Sequence, residues 1–197
     1  FGTRGLLLQN SRATIRNIGG RVREELEVVP KWTLAGGLGM EQSMLSIQAA
    51  NHSYSGTNVA TTTRTGAERT FWNWAPEMSL SWKPGADYRN WIRASTGYGI
   101  PQLGQLTTGI DGNPGTNFDL KPQKNVNFEI GTEGKLGKDL FVQLVGFWTF
   151  YRDEIISVTN QATQRAFSAN ADSSEYRGIE LFYDWRPFTG VGLSGAY

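Results

Sequence analysis

His52 is the only histidine among the 197 residues, and there is no cysteine. A multi-histidine or thiolate metal centre and most histidine-based acid–base or nucleophilic catalysis therefore lack their parts. Asp111, Gly112 and Asn113, with Asp119 further on, supply oxygen ligands at a spacing loosely like a calcium loop. Asp-Gly and Asn-Pro are strong turn formers, however, and a turn is the expected outcome. Glu129 and Glu133 lie two same-face steps apart on an alternating run, which suits a charged wall better than an acid–base pair. No catalytic residue, metal or cofactor is assigned, and the protein is read as a non-enzyme. The residues suited to binding are Arg64, Arg69 and Arg165 with Tyr54, Phe118 and Phe167, joined by His52. Guanidinium groups and aromatic faces together suit an anionic or aromatic small ligand. All seven fall in polar stretches expected to be loops, where function concentrates.

The elements that must carry those loops follow a period of two. Val126, Phe128, Ile130, Thr132, Gly134 and Leu136 alternate with Asn127, Glu129, Gly131, Glu133 and Lys135. The same split recurs from Trp72 to Lys83 and, with odd positions apolar, through Ile179, Leu181, Tyr183 and Trp185. Such alternation defines strands. The runs reach about ten residues or more, enough to cross a bilayer at a tilt, where strands of soluble sandwiches average about five or six. The predicted fold is an all-β antiparallel transmembrane barrel with about nine strands in this chain: 2–9, 20–29, 32–46, 70–83, 87–99, 124–136, 139–157, 175–187 and 190–197.

Short connections alternate with long ones. Pro30-Lys31, Pro84-Gly85-Ala86, Gly137-Lys138 and Phe188-Thr189 read as tight hairpin turns. Stretches 47–69, 100–123 and 158–174, with a shorter one at 10–19, read as long loops. Outer-membrane barrels place short turns in the periplasm and long loops outside the cell. Up to the seventh strand, even positions are expected to face lipid and odd positions the lumen. The lumen set is then charge-balanced: Glu41, Glu77, Glu129, Glu133, Glu180 and Asp184 against Arg21, Arg23, Lys83, Arg89, Arg93, Lys135 and Arg186, with Glu25 and Glu27 lower down. Glu24, at an outward position, is the misfit.

Bulk composition hides this architecture. With 39% hydrophobic and 19% charged residues, the chain has no long apolar run, because a barrel turns only alternate residues to lipid. Twenty-four glycines and an aromatic fraction of 12% suit turns and interfacial girdles. A net charge of +1 gives no support for a nucleic-acid partner. Because such barrels close with an even number of strands, the chain (1–197) is read as one segment of a single barrel domain.

Three stretches carry a family resemblance. Residues 119–136, DLKPQKNVNFEIGTEGKL, resemble a strand of TonB-dependent outer-membrane receptors that reads roughly L-x-P-E-x-x-x-N-x-E-x-G-x-K, with Gln123 standing where the family usually has Glu. Residues 173–187, SSEYRGIELFYDWRP, resemble the later strand with R-G-x-E, and 95–103, STGYGIPQL, the aromatic-Gly-x-Pro end of an upward strand. Their order and spacing cover about residues 70–197. The resemblance implies the C-terminal part of a barrel of 22 strands, with the family's plug domain absent from this chain. It also implies active import across the bacterial outer membrane of a scarce ligand, a ferric siderophore first and a glycan next. The implied partners are the TonB complex, engaged through the plug, and outer-membrane lipid and lipopolysaccharide. A passive porin is the alternative from strand pattern alone.

Overall fold

The computed structural model describes residues 6–7, 9–113 and 115–197. Among them eight strands form one antiparallel sheet in sequence order: β1 (Gln9–Val29), β2 (Trp32–Ser55), β3 (Asn58–Gly85), β4 (Tyr88–Gly99), β5 (Gln123–Leu136), β6 (Leu140–Thr159), β7 (Ala166–Phe188) and β8 (Val191–Ala196). Among the described residues the sheet is not closed, since β1 and β8 do not pair. The strand expected at 2–9 falls largely outside the described residues, and Leu6 and Leu7 are not in a strand.

One rim carries only tight turns, at 30–31, 86–87, 137–139 and 189–190. Lys31, Gly137 and Gly190 take positive φ there, as tight hairpins require. The opposite rim corrects the expected loops. Residues 10–19 belong to β1; 47–69 is almost entirely strand, turning at Gly56 and Thr57; 158–174 is strand apart from 160–165. Polar content there reflects solvent on the outer face, not loss of pairing. Asn51, Ser53, Thr61 and Thr63 remain in the β2–β3 ladder, and threonine is a good strand former. Only 100–122 is a true loop, and it contains one helical turn, α1 (Leu103–Leu106).

The parity holds. Trp72, Trp74, Met78 and Trp82 are exposed on the outward face of β3, and Phe128, Ile130 and Trp148 continue that face on β5 and β6. Trp32 stacks on Trp82 at 5.8 Å near the tight-turn rim, and Trp148 meets Phe150 at 4.8 Å near the other. Ten residues from Trp72 to Trp82 span about 33 Å along the strand. At a tilt of about 40° that becomes roughly 25 Å, the height of an outer-membrane apolar band. Glu24 is exposed on the outward face opposite Gly36.

The hairpins differ in height. β2–β3 and β6–β7 rise well above the aromatic band, whereas β4 and β5 have only 12 and 14 residues. β3 pairs with β4 only as far up as Glu77↔Ser95. The next residue, Pro76, has no N–H to continue the ladder, and its carbonyl instead accepts a 3.3 Å bond from the Thr96 hydroxyl. Above this split the wall is a low saddle between two tall hairpins.

Candidate functional site

On the concave face, charge gathers around Glu77, whose side chain is only 12% exposed. Its carboxylate accepts bonds from Arg21 and from Arg93, the latter at 3.0 Å, with Arg23 at 4.0 Å. Arg93 reaches on to Glu129 at 4.0 Å, and Arg89 pairs with Glu133 at 3.5 Å. Gln143 donates to Glu133 at 3.1 Å, and Thr149 donates to Asn127 at 2.6 Å. Gly37 makes room for this network: a Cβ there would stand 2.8 Å from the Glu77 carboxylate. Gly131 similarly lies under the Trp91 indole, where a Cβ would come within 2.1 Å, and Arg89 stacks over that ring at 5.2 Å. These groups line a cavity of about 820 Å³ reaching Tyr151 and Glu180. Of the expected lumen charges, Glu77, Arg93, Glu129, Arg89 and Glu133 are thus paired across neighbouring strands, and Arg21 reaches Glu77 across β2.

Above that cavity the loop 100–122 crosses the saddle as a strap with two unlike anchors. Toward β2–β3 the anchor is apolar: Leu106 and Leu120 are buried with Leu45 and Ile47, and Phe71, Leu103 and Phe118 pack around them. Toward β6–β7 it is polar. Asn117 donates to the Ser168 carbonyl at 2.6 Å, Asn160 to the Ile110 carbonyl at 3.0 Å and Thr163 to the Asp111 carbonyl at 2.6 Å. Asn170 accepts from the Lys121 amide at 2.8 Å and donates back to its carbonyl at 3.0 Å. Within the strap, the Asn113 side chain and amide both donate to Asp111, which holds that carboxyl below the usual range. Arg165 lies against Asn113 at the same corner.

The seven candidate binding residues do not converge. His52 bonds Thr62 at 2.9 Å, and both it and Arg64 stand on the outward face of the tall hairpin. Tyr54 donates to the Leu7 carbonyl at 2.7 Å near the hairpin tip. Arg69 stands on the inward face opposite Leu45, with a buried Nε that has no partner among the described residues. Phe118 packs in the strap's apolar anchor, Arg165 in its polar one, and Phe167 pairs with Val158 on β6. Arg69, Phe118 and Arg165 therefore border the strap, and His52 and Arg64 lie outside the wall. Sequence reasoning missed the strap contacts of Asn117, Asn160, Thr163 and Asn170, whose partners lie about fifty residues away in all four cases.

An antiparallel meander with a lipid-facing apolar band, a charged lumen and an inward strap defines part of an outer-membrane β-barrel wall. Residues 2–197 match the family described as TonB dependent receptor-like, beta-barrel. The chain belongs to this family, whose members are bacterial outer-membrane receptors. Its fold is similar to that of the ferric yersiniabactin uptake receptor FyuA from Yersinia pestis, with a TM-score of 0.68 at 19% identity over 95% of this chain. The copper transporter OprC gives 0.72 at 15% over 93%, and the ferric-catecholate import receptor Fiu from K12 E. coli gives 0.71 at 15% over 94%. The chain spans 28% of the length of each of the three.

Proposed function

We propose that the complete protein imports a scarce, anionic small ligand, a ferric siderophore first, across the outer membrane with energy delivered by the TonB complex to a plug domain outside this chain. The strap carries the reading: a segment anchored on both sides of the concave mouth suits a gated receptor better than an open porin. Arg69, Phe118 and Arg165 at its borders offer guanidinium and aromatic contacts of the kind an anionic chelate uses. Of the three similar proteins, two are named for ferric ligands and one for copper, which supports a metal-complex cargo over a glycan. The protein is a transporter, not an enzyme.

In this reading the strap rim faces outside and the tight-turn rim faces the periplasm. Cysteines at Gln164 and Lys138 test it in intact cells: an impermeant maleimide should label the first and spare the second. Deleting the gene should abolish accumulation of one ferric chelate, and removing TonB should do the same. Uptake that persists without TonB and tracks only solute size would return the protein to the porin class.

A further inference from the structure

The strap's two anchors treat polar groups in opposite ways. Toward β6–β7 the side chains of Asn117, Asn160, Thr163 and Asn170 all find partners across the junction. Toward β2–β3 they do not. Arg69, Phe71 and Asn73 are consecutive inward positions of β3, and Phe71 packs in the apolar anchor between its two polar neighbours. The buried Nε of Arg69 above it, and both ends of the Asn73 amide below it, have no partner among the described residues. Asn73 is only 1% exposed. Its cross-strand neighbour Glu41 is turned to other groups, accepting from the Ser43 hydroxyl at 2.8 Å and facing the Tyr98 hydroxyl.

On an open concave sheet an inward side chain is covered only by what lies over it, and here that is the foot of the strap. Pro101 is fully buried, and Ile100 and Leu103 join Phe71 on the buried cluster one inward step higher. A polar group buried without a bond loses its hydration and regains it when the cover lifts. Apolar contact closes this limb while two orphaned groups oppose closure, so it should part from the wall before the fully bonded limb does. We propose that the strap is a door, hinged on its β6–β7 limb and free at its β2–β3 limb, with Asn73 and Arg69 as the release that keeps the free edge from sealing. Opening turns an amide and a guanidinium toward the mouth, beside Glu41 and Ser43. The door rests on the import reading for its purpose, but its motion is measurable without any ligand.

Hydrogen exchange of the full-length receptor in detergent follows the limbs separately, residues 102–108 reporting the free edge and 109–113 the hinge. Asn73→Leu, close in volume and without the amide, should slow exchange at 102–108 about tenfold. Arg69→Met should slow it severalfold, and Thr70→Leu, on the outward face, should leave it unchanged. Thr163→Val removes a hinge bond and should speed exchange at 109–113 while sparing 102–108, because the free edge opens with the hinge still held. As a second measure, maleimide should label Ser43→Cys, fully buried below the same anchor, about tenfold more slowly when Asn73→Leu is added. Heat-modifiable migration on a gel confirms that each variant is a folded barrel. Exchange at 102–108 that Asn73→Leu leaves unchanged or speeds overturns the release, and so does an equal slowing by Thr70→Leu. Equal acceleration of both segments by Thr163→Val overturns the hinge, since the strap would then leave the wall as one unit. Neither TonB nor cargo enters these measurements, so the door can fail while the importer reading stands, and the uptake test can fail while the door stands.

Discussion

Two regions of the same strands carry opposite polarity on the same faces. Between Trp72 and Trp82, β3 turns tryptophan and methionine outward and Glu77 inward. Above residue 71 on β3 and residue 43 on β2, the outward positions beyond Met44 are mostly polar, among them Ser46, Gln48, His52, Thr62, Arg64 and Glu68, while Leu45, Ile47 and Ala49 face inward and are buried. The register never slips between the two regions, so parity alone says only which face a side chain is on. What the face touches changes: lipid outside and a charged cavity inside below, solvent outside and the strap inside above. The switch from greasy-out to polar-out therefore marks the membrane boundary on each hairpin.

The largest effect should come from the upper region's inner face. Leu106 is 1% exposed in the strap's apolar anchor, and Leu106→Ala should cost about 3–5 kcal/mol of local docking stability, at the upper end for buried leucine. Hydrogen exchange should rise across residues 103–120 and stay unchanged in the band. Protection left intact there would mean that the strap is held by its polar side alone.

The band supplies the next effect. Ile130→Arg puts a guanidinium on the lipid face and should destabilise the refolded full-length barrel by about 2–4 kcal/mol near the midplane, whereas Ser46→Arg, outward but above the band, should lie within about 0.5 kcal/mol of wild type. Equal costs at the two positions would erase the boundary drawn at Trp72. Smaller still, Glu77→Gln leaves Arg21, Arg23 and Arg93 without their shared carboxylate. Because those arginine side chains are 41–59% exposed, solvent screening limits the cost to about 1–2 kcal/mol, and added salt should reduce it further. Insensitivity to salt would indicate a packing role for Glu77.

The smallest effect is a pH dependence at the strap's polar corner. Asp111 is held below its unfolded value by Asn113, so its bonds favour the docked strap above the unfolded aspartate value of about 3.9. That contribution is lost as pH falls through the lower, folded value. The loss of protection at residues 109–113, corrected for the intrinsic pH dependence of amide exchange, should therefore rise in acid, and Asp111→Asn should flatten the rise. A rise of equal size in the variant would assign the acid sensitivity to another group.

Much of this was legible residue by residue. The alternation at 126–136 gave β5 its faces, Gly137 marked a turn that needs positive φ, and the inward positions of Glu77, Glu129 and Arg93 followed from counting by two, while the turn read at Phe188-Thr189 falls one residue later, with the positive φ at Gly190. The outward placement of His52 and Arg64 was within reach of the same count, but their polar surroundings read as loop because polarity in water and polarity in a loop look alike. Pro76 carried a signal as well, since a proline inside a strand run requires an unpaired neighbour.

By itself the sequence determined the period, the tight-turn rim to within a residue or two and the family, because each rests on residues adjacent in the chain or on a short motif. Only the tertiary structure decided where residues 100–122 lie, that Leu106 and Leu120 meet Leu45 and Ile47, and that Asn117 reaches Ser168. Those contacts join segments about fifty residues apart or more, and no local periodicity encodes which distant wall a loop will cover. Their physical origin is the unequal height of neighbouring hairpins: short β4 and β5 leave a saddle, and burying the inward apolar row of β2 there is what draws the strap across it.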